Sequence, residues 1–217
     1  HATFMPKPIF GVPGNGMHVN MSLVKDGVNA FYDESGERRL SPIAYQFIAG
    51  ILAHINAICA LTNPLVNSYK RLVSGYEAPC YPSWSSCNRS ALIRVPSPRG
   101  ASTRIELRSP DPSCNPYLAL AVCLAAGLDG IKRGLTPSAE ITENIYELSR
   151  KERDARGIGN LPASLHEALE ALRGDELLCR VLGSHALSQY ITGKEREWES
   201  YCTRVSSWEI ERYITLY

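Results

Sequence analysis

With 217 residues, 44% of them hydrophobic, the chain has enough apolar material for a substantial core and reads as one domain with a helical extension, which excludes a disordered chain. Its 23 Lys and Arg against 22 Asp and Glu leave a net charge of +1, which excludes a general polyanion binder. The charge is uneven: Lys70 to Arg108 holds seven basic side chains against Glu77 and Glu106, whereas beyond residue 138 ten basic side chains face fourteen acidic ones. A local positive field of this kind suits a small anionic ligand, and no direct nucleic-acid contact is expected.

Residues 3–10 and 17–25 alternate enough to be strands around a glycine-rich turn, Gly11-Val12-Pro13-Gly14-Asn15-Gly16-Met17. Asp26-Gly27 marks a hairpin leading into a strand from Val28 to Tyr32. Ser41-Pro42 supplies a cap and a first helical residue, after which Ile43, Phe47, Ile48, Ile51, Leu52, Ile55 and Ile58 repeat on one core-facing side. His54 on this helix has no acidic residue one turn away and reads as a surface or packing histidine.

From Leu61 to Pro116 proline, glycine, asparagine and serine are dense, interrupted by strand candidates at Ala91 to Val95 and Arg104 to Arg108. Asn115 caps and Pro116 opens a helix of about 17 residues that is apolar on nearly every side, so it is expected to be the buried central helix, ending near Gly134. A Pro/Ser linker then leads to amphipathic helices near 162–173, 175–190 and 193–203, and to a terminal segment with Trp208 and Tyr213.

Seven cysteines, at 59, 80, 87, 114, 123, 179 and 202, form an odd set without a C-x-x-C pair and read as buried reduced thiols of a cytoplasmic protein. Cys80 and Cys87 lack further ligands at zinc-finger spacing. The longest apolar run, Tyr117 to Leu128, falls well short of the roughly 20 residues that cross a bilayer, so no membrane partner is expected. No signal peptide is recognised, and because the chain begins at His1 it is read as part of a longer protein.

The chemistry concentrates around Ser102-Thr103-Arg104-Ile105-Glu106-Leu107-Arg108, where strand alternation sends Arg104, Glu106 and Arg108 to one face. Such a ladder alone is equally an exposed charge pattern. Here Arg71, Glu77, Arg89 and Arg94 lie upstream, and the glycine-rich turn runs into His18. Arginines, a histidine and two carboxylates gathered by loops suit a divalent metal holding a polyphosphate.

These residues resemble type I glutamine synthetase over essentially the whole chain. The resemblance rests on Asn63-Pro64 with Asn67-Ser68-Tyr69-Lys70-Arg71-Leu72, on Gly75-Tyr76-Glu77-Ala78-Pro79, on Asn88-Arg89-Ser90, and on Asp111-Pro112 followed by Asn115-Pro116-Tyr117-Leu118-Ala119. Ile9-Phe10-Gly11-Val12 and the C-terminal tryptophan and tyrosine segment bring it nearest the short Gram-positive form. The implied fold is the α+β catalytic fold shared with guanidino kinases, an antiparallel sheet with outer helices. By this resemblance residues 1–138 hold the sheet, site loops and central helix, residues 139–217 form a helical C-terminal extension, and the N-terminal small domain is absent.

The resemblance implies ATP-dependent ligation of ammonia to the γ-carboxylate of L-glutamate through γ-glutamyl phosphate, with Mg²⁺ or Mn²⁺. It makes His18 and Glu106 metal ligands, and Ser22, Arg89, Arg94 and Arg104 the ATP-binding residues. Gly14, His18, Arg71 and Arg108 bind glutamate, and Arg89, Arg108 and the flap residue Glu77 are catalytic, Glu77 taking a proton from bound ammonium. Tyr146 aligns with a tyrosine that some members adenylylate, and reads here as an ordinary exposed or packing tyrosine.

Pro13 and Ser74 depart from the family's usual asparagine and proline. They keep open a ligase joining glutamate to another amine, and a non-catalytic piece that binds nitrogen transcription regulators is the further alternative. Whole enzymes of the resembled type are dodecamers whose remaining metal ligands lie outside a piece of this extent, so the isolated chain is expected to hold half a site and to be inactive.

Overall fold

The computed structural model describes residues 2–217. Its centre is a four-stranded sheet in the order β1 (Val19–Met21), β6 (Ile105–Leu107), β5 (Ile93–Arg94) and β4 (Trp84–Ser85), antiparallel except for the parallel β4–β5 edge. A separate two-residue hairpin pairs β2 (Val24–Lys25) with β3 (Val28–Asn29). Asp26 and Gly27 both take positive φ there, 51° and 78°, as a tight hairpin turn with the right-handed strand twist requires.

The expected strand over 3–10 is not formed. Pro6 and Pro8 cannot donate to a ladder, and the segment is held instead as a strap: Asn67 Oδ1 accepts from Lys7 N at 2.7 Å, and Asn15 N donates to Pro6 O at 2.8 Å. The expected strand over 17–25 is split at Ser22-Leu23, and the one from Val28 to Tyr32 stops at Asn29, whose side chain turns inward to donate to Thr103 O.

Helices cover one side of the sheet. α1 (Pro42–Thr62) starts as the sequence indicates, with Ser41 accepting from Ala44 N, and α2 (Ser68–Arg71) is a single turn. α3 (Pro116–Arg133) is capped by Asn115 and ends at Gly134 in the left-handed conformation, φ 62°. Phe31, Leu40, Phe47, Ile48, Ile51, Ile58, Leu92, Ile93, Ile105 and Leu107 are essentially inaccessible and form the core between α1 and the sheet. Among the described residues α1 is the one helix long and apolar enough to cross a membrane, although no run in the sequence suggested it; most of it is buried inside the domain.

α3 is not the fully buried helix its composition suggests. Ala119, Val122, Cys123, Ala126, Gly127 and Gly130 face α1, whereas Tyr117, Leu120, Leu124 and Leu128 form an exposed stripe. The small residues explain the packing: a Cβ on Gly50 would meet Ala126 O at 2.1 Å, one on Gly130 would meet Gln46 O at 2.1 Å, and one on Gly127 would strike the Phe47 ring. The two backbones touch where a methyl group has no room.

The C-terminal region holds α4 (Arg150–Ala155), α5 (Leu165–Arg173), α6 (Glu176–Leu182), α7 (Ser184–Cys202) and α8 (Ser207–Tyr213). The helix expected over 175–190 breaks at Gly183, φ 73°, and its second half runs on into the helix expected over 193–203. α4 was not anticipated, although Ser149 and Glu152 form a complete capping box.

His54 has acidic partners after all, supplied by other helices: Asp175 Oδ2 lies 2.6 Å from its Nδ1 and Asp129 Oδ2 3.2 Å from its Nε2. Burial would raise the Asp129 carboxyl, but hydrogen bonds from Arg133 and His54 hold it below its ordinary value. Asp175 also caps α6 at Leu178 N, so one imidazole ties α1, α3 and α6 together. The cysteines are all free, and four are buried as expected; Cys87 and Cys202 are exposed, the first in a loop and the second at the end of α7. Burial pushes the thiols of Cys80 and Cys114 up to about 11, well into the unreactive range.

Gly130→Ala should force α1 and α3 apart and cost about 3 kcal/mol or more, whereas Gly159→Ala, in open space, should stay within about 0.5 kcal/mol. Urea unfolding midpoints of the two variants measure the difference.

Candidate functional site

The site grows from the middle of the four-stranded sheet. Ile105 and Leu107 of β6 are turned into the core, so Glu106 faces the other way with Arg104 and Arg108 on either side. Strand register places Asn20 of β1 and Arg94 of β5 beside Glu106. Arg94 Nε donates to Glu106 Oε2 at 2.6 Å, and Arg108 Nε lies 3.9 Å from the same oxygen. His18, immediately before β1, brings Nδ1 to 3.4 Å from Oε1. Arg104 turns along the strand, its Nε donating to Asn20 Oδ1 at 3.0 Å.

Burial would push the Glu106 carboxyl up, but the Arg94 hydrogen bond and charge, with His18 and Arg108, outweigh it and hold it below the usual range. Burial lowers the His18 pKa, and the charges of Arg108 and Arg71 add to that against the pull of Glu106. The imidazole is therefore neutral near pH 7, with a lone pair to offer.

The glycine-rich turn packs against Arg71 and Pro6 beside this centre. A Cβ on Gly16 would stand 2.5 Å from Arg71 Nη2, and one on Gly14 would stand 2.1 Å from Pro6 O, so both positions need glycine to let the turn approach. Arg71 is buried, and its guanidinium donates to Ser109 O at 2.5 Å and Arg108 O at 3.2 Å. Arg108 donates to the carbonyls of Arg89, Ala91 and Glu77, the last at 3.4 Å. Burial depresses the pKa of both arginines, which remain cationic.

Gly14, Gly16, His18, Arg71, Glu77 and Arg108 thus line a single cleft of about 220 Å³, closed on one side by Tyr76 and Ala78. A second cleft of about 330 Å³ lies beyond the same flap, lined by Asn88, Arg89, Ser90 and Tyr146 together with Glu77 and Arg108. Glu77 is exposed between the two. Arg89 is exposed and does not reach Glu106, and Ser22, one residue past β1, is exposed and lines neither cleft. A larger cavity, about 610 Å³ against Tyr45, Trp84 and Glu140, shares no residue with either.

Tyr146 is not a merely exposed or packing side chain, since its hydroxyl donates to Ala78 O at 2.6 Å. Lys7, which nothing in its local sequence singles out, lies with Nζ 3.7 Å from the centroid of the Tyr76 ring. His18 and Glu106 offer one imidazole nitrogen and carboxylate oxygens for a divalent cation, a donor set that Mg²⁺ or Mn²⁺ accepts. No group of three His, Cys, Asp or Glu side chains suited to a metal exists among the described residues, so the pair offers two donor side chains and no third.

An α+β scaffold gathers arginines, a histidine and the Glu77 carboxylate on one glycine-lined cleft, with Glu106 beside it. The family model described as "Glutamine synthetase, catalytic domain" matches residues 1–213. A glutamine synthetase of Clostridium saccharobutylicum is 58% identical over all 217 residues, and that of Staphylococcus aureus (strain MW2) is 56% identical over the same span. The chain covers 49% of each, so it spans about half the length of these relatives. The solved structure titled "GmaS/ADP complex-Conformation 1" superposes with a TM-score of 0.87 at 37% identity, covering 98% of this chain and 49% of that one; "Apo GmaS without ligand" gives 0.80 at 36%, covering 98% and 48%. The chain belongs to the glutamine synthetase family.

Because the folded-state pKa of Glu106 lies below its ordinary 4.5, its ionisation stabilises the fold above that value, and the contribution disappears as the pH falls through the folded-state pKa. Glu106→Gln should therefore lower stability at pH 7 by about 1–3 kcal/mol and flatten the acid limb of the curve of Tm against pH. Calorimetric scans between pH 3 and 7 test both effects.

Proposed function

We propose that this chain is the C-terminal part of the catalytic region of a glutamine synthetase that joins ammonia to the γ-carboxylate of L-glutamate through γ-glutamyl phosphate, releasing ADP and phosphate. The observation that carries the reading is the convergence of Gly14, Gly16, His18, Arg71, Glu77 and Arg108 on one cleft beside the Glu106–Arg94 pair. Family membership supports it. A ligase for another amine is not favoured, because the curated relatives at 56–58% identity are named glutamine synthetase despite the departures at Pro13 and Ser74.

In this reading neutral His18 and Glu106 would hold Mg²⁺ or Mn²⁺. The cation, when bound, neutralises charge on the nucleotide phosphates. Arg94 and Arg104, on the same sheet face, and Arg89, across the flap, present planar donors to the phosphates, with Ser22 toward the nucleoside. Arg71, fixed by two backbone carbonyls, orients the α-carboxylate of glutamate, and Arg108 faces the reacting γ-group.

Glu77 accepts a proton from ammonium at the mouth of the cleft. The ammonia lone pair then attacks the acyl-phosphate carbon, the C–N bond forms, and the C–O bond breaks with its electron pair leaving on phosphate, which takes the surplus N–H proton so that a neutral amide remains. We place residues 1–138 in the sheet, site loops and central helix and 139–217 in the helical extension. We assign the whole enzyme to a cytoplasmic dodecamer, with nitrogen regulators as further partners. The buried, unpaired thiols fit a reducing compartment.

In the complete polypeptide, Glu77→Gln should lower the rate of glutamine formation about 10²- to 10⁴-fold. Retention of the rate within about twofold, read as ammonium-dependent phosphate release, would overturn the assignment of the proton acceptor.

A further inference from the structure

We propose that Lys7 and Tyr146 are positioning residues that clamp the flap from opposite sides of Glu77 and so set where its carboxylate meets the incoming ammonium. The proposal rests on the reading of Glu77 given above and names the groups that make it work.

Three successive flap residues are each held by a different part of the molecule. Lys7 Nζ stands 3.7 Å from the Tyr76 ring centroid. Arg108 Nη2 donates to Glu77 O at 3.4 Å. The Tyr146 hydroxyl donates to Ala78 O at 2.6 Å. The peptide that carries Glu77 is thus restrained before, at and after the residue, while the carboxylate itself is left exposed between the two clefts.

Both outer anchors are rigidly mounted. Lys7 is buried; its backbone exchanges two hydrogen bonds with the Asn67 side chain, at 2.7 and 3.0 Å, and its ammonium also donates to Val12 O in the glycine-rich turn. One lysine therefore ties the strap, the turn and the flap together. Tyr146 sits in a 3-10 turn capped by Asn144, next to fully buried Ile145, whose N–H donates to Ser90 Oγ; its ring packs against Tyr81 with centroids 6.1 Å apart.

The flap needs such anchors because its leading end is loose. Gly75 takes φ 92° with open space where a side chain would be, and Val73 and Ser74 before it are exposed. A loop free at one end scatters the group it carries, and displacement of a catalytic group by about 1 Å costs a large factor in rate. A cation over an aromatic face and a phenol on a carbonyl each fix direction as well as distance.

Two measurements test the clamp. Amide hydrogen exchange over residues 75–78 should quicken about three- to tenfold in Tyr146→Phe and in Lys7→Met, while exchange in α1 stays unchanged and certifies the fold. Lys7→Arg, which keeps a cation over the ring, should restore wild-type exchange. In the complete synthetase polypeptide, Tyr146→Phe and Lys7→Met should raise KM for ammonium by about the same factor with little change in KM for ATP. Exchange and KM at wild-type values in both variants, beside an inactive Glu77→Gln, would overturn the clamp and leave the synthetase reading intact. Full activity in Glu77→Gln would instead overturn the reading on which the clamp depends.

Discussion

The arrangement of the site depends on one buried carboxylate. Glu106 sits in the middle of β6, its neighbours Ile105 and Leu107 committed to the core, and it cannot be drawn out to solvent without moving the central strand. An ionised carboxylate in such a place carries a desolvation penalty of several kcal/mol unless it is paired and hydrogen-bonded. Arg94 offsets most of that from the adjacent strand, and His18 and Arg108 gather around the oxygens that remain. The need to satisfy Glu106 therefore fixes the faces of β5 and β1, and through them the position of the glycine-rich turn that follows the strap.

The helical layer makes that strand position firm. α1 and α3 approach so closely at Gly50, Gly127 and Gly130 that they behave as one slab, and the sheet rests on the other side of α1. His54 with Asp129 and Asp175 locks α6 onto the same slab through interactions that are individually modest and jointly directional. The loops from Leu61 to Pro116 are then free to carry the polar groups, because none of them is asked to hold the core together.

Much of this was legible in the sequence. The caps at Ser41 and Asn115, the hairpin at Asp26-Gly27 and the shared face of Arg104, Glu106 and Arg108 follow from local chemistry, and the structure has each of them. What was not legible came from contacts distant in sequence. His54 looked unpartnered because its carboxylates lie 75 and 121 residues away. α3 looked buried on all sides because apolar composition does not say which face has a neighbour. Lys7 carries no local signal and Tyr146 reads as an ordinary tyrosine, since their contacts arise only where the flap passes between them. The strap over 3–10 alternates like a strand, yet its prolines leave the backbone without a ladder to join.

The two arginines of the main cleft show how the fold turns side chains into fixed instruments. Arg71 and Arg108 direct donors at backbone carbonyls, an arrangement that would be wasteful if their only task were to attract an anion. A guanidinium bound in this way has lost its rotamer freedom during folding, so a ligand does not have to supply that entropy when it arrives. Each has five N–H donors, and those not engaged by the carbonyls keep a set direction toward the cleft. Arg89, exposed and without such bonds through its own guanidinium, is the opposite case, a charge that keeps its rotamer freedom. In the proposed synthetase reading, that difference separates orientation of the small substrate from neutralisation of the phosphate, and it arises from backbone carbonyls that no motif records.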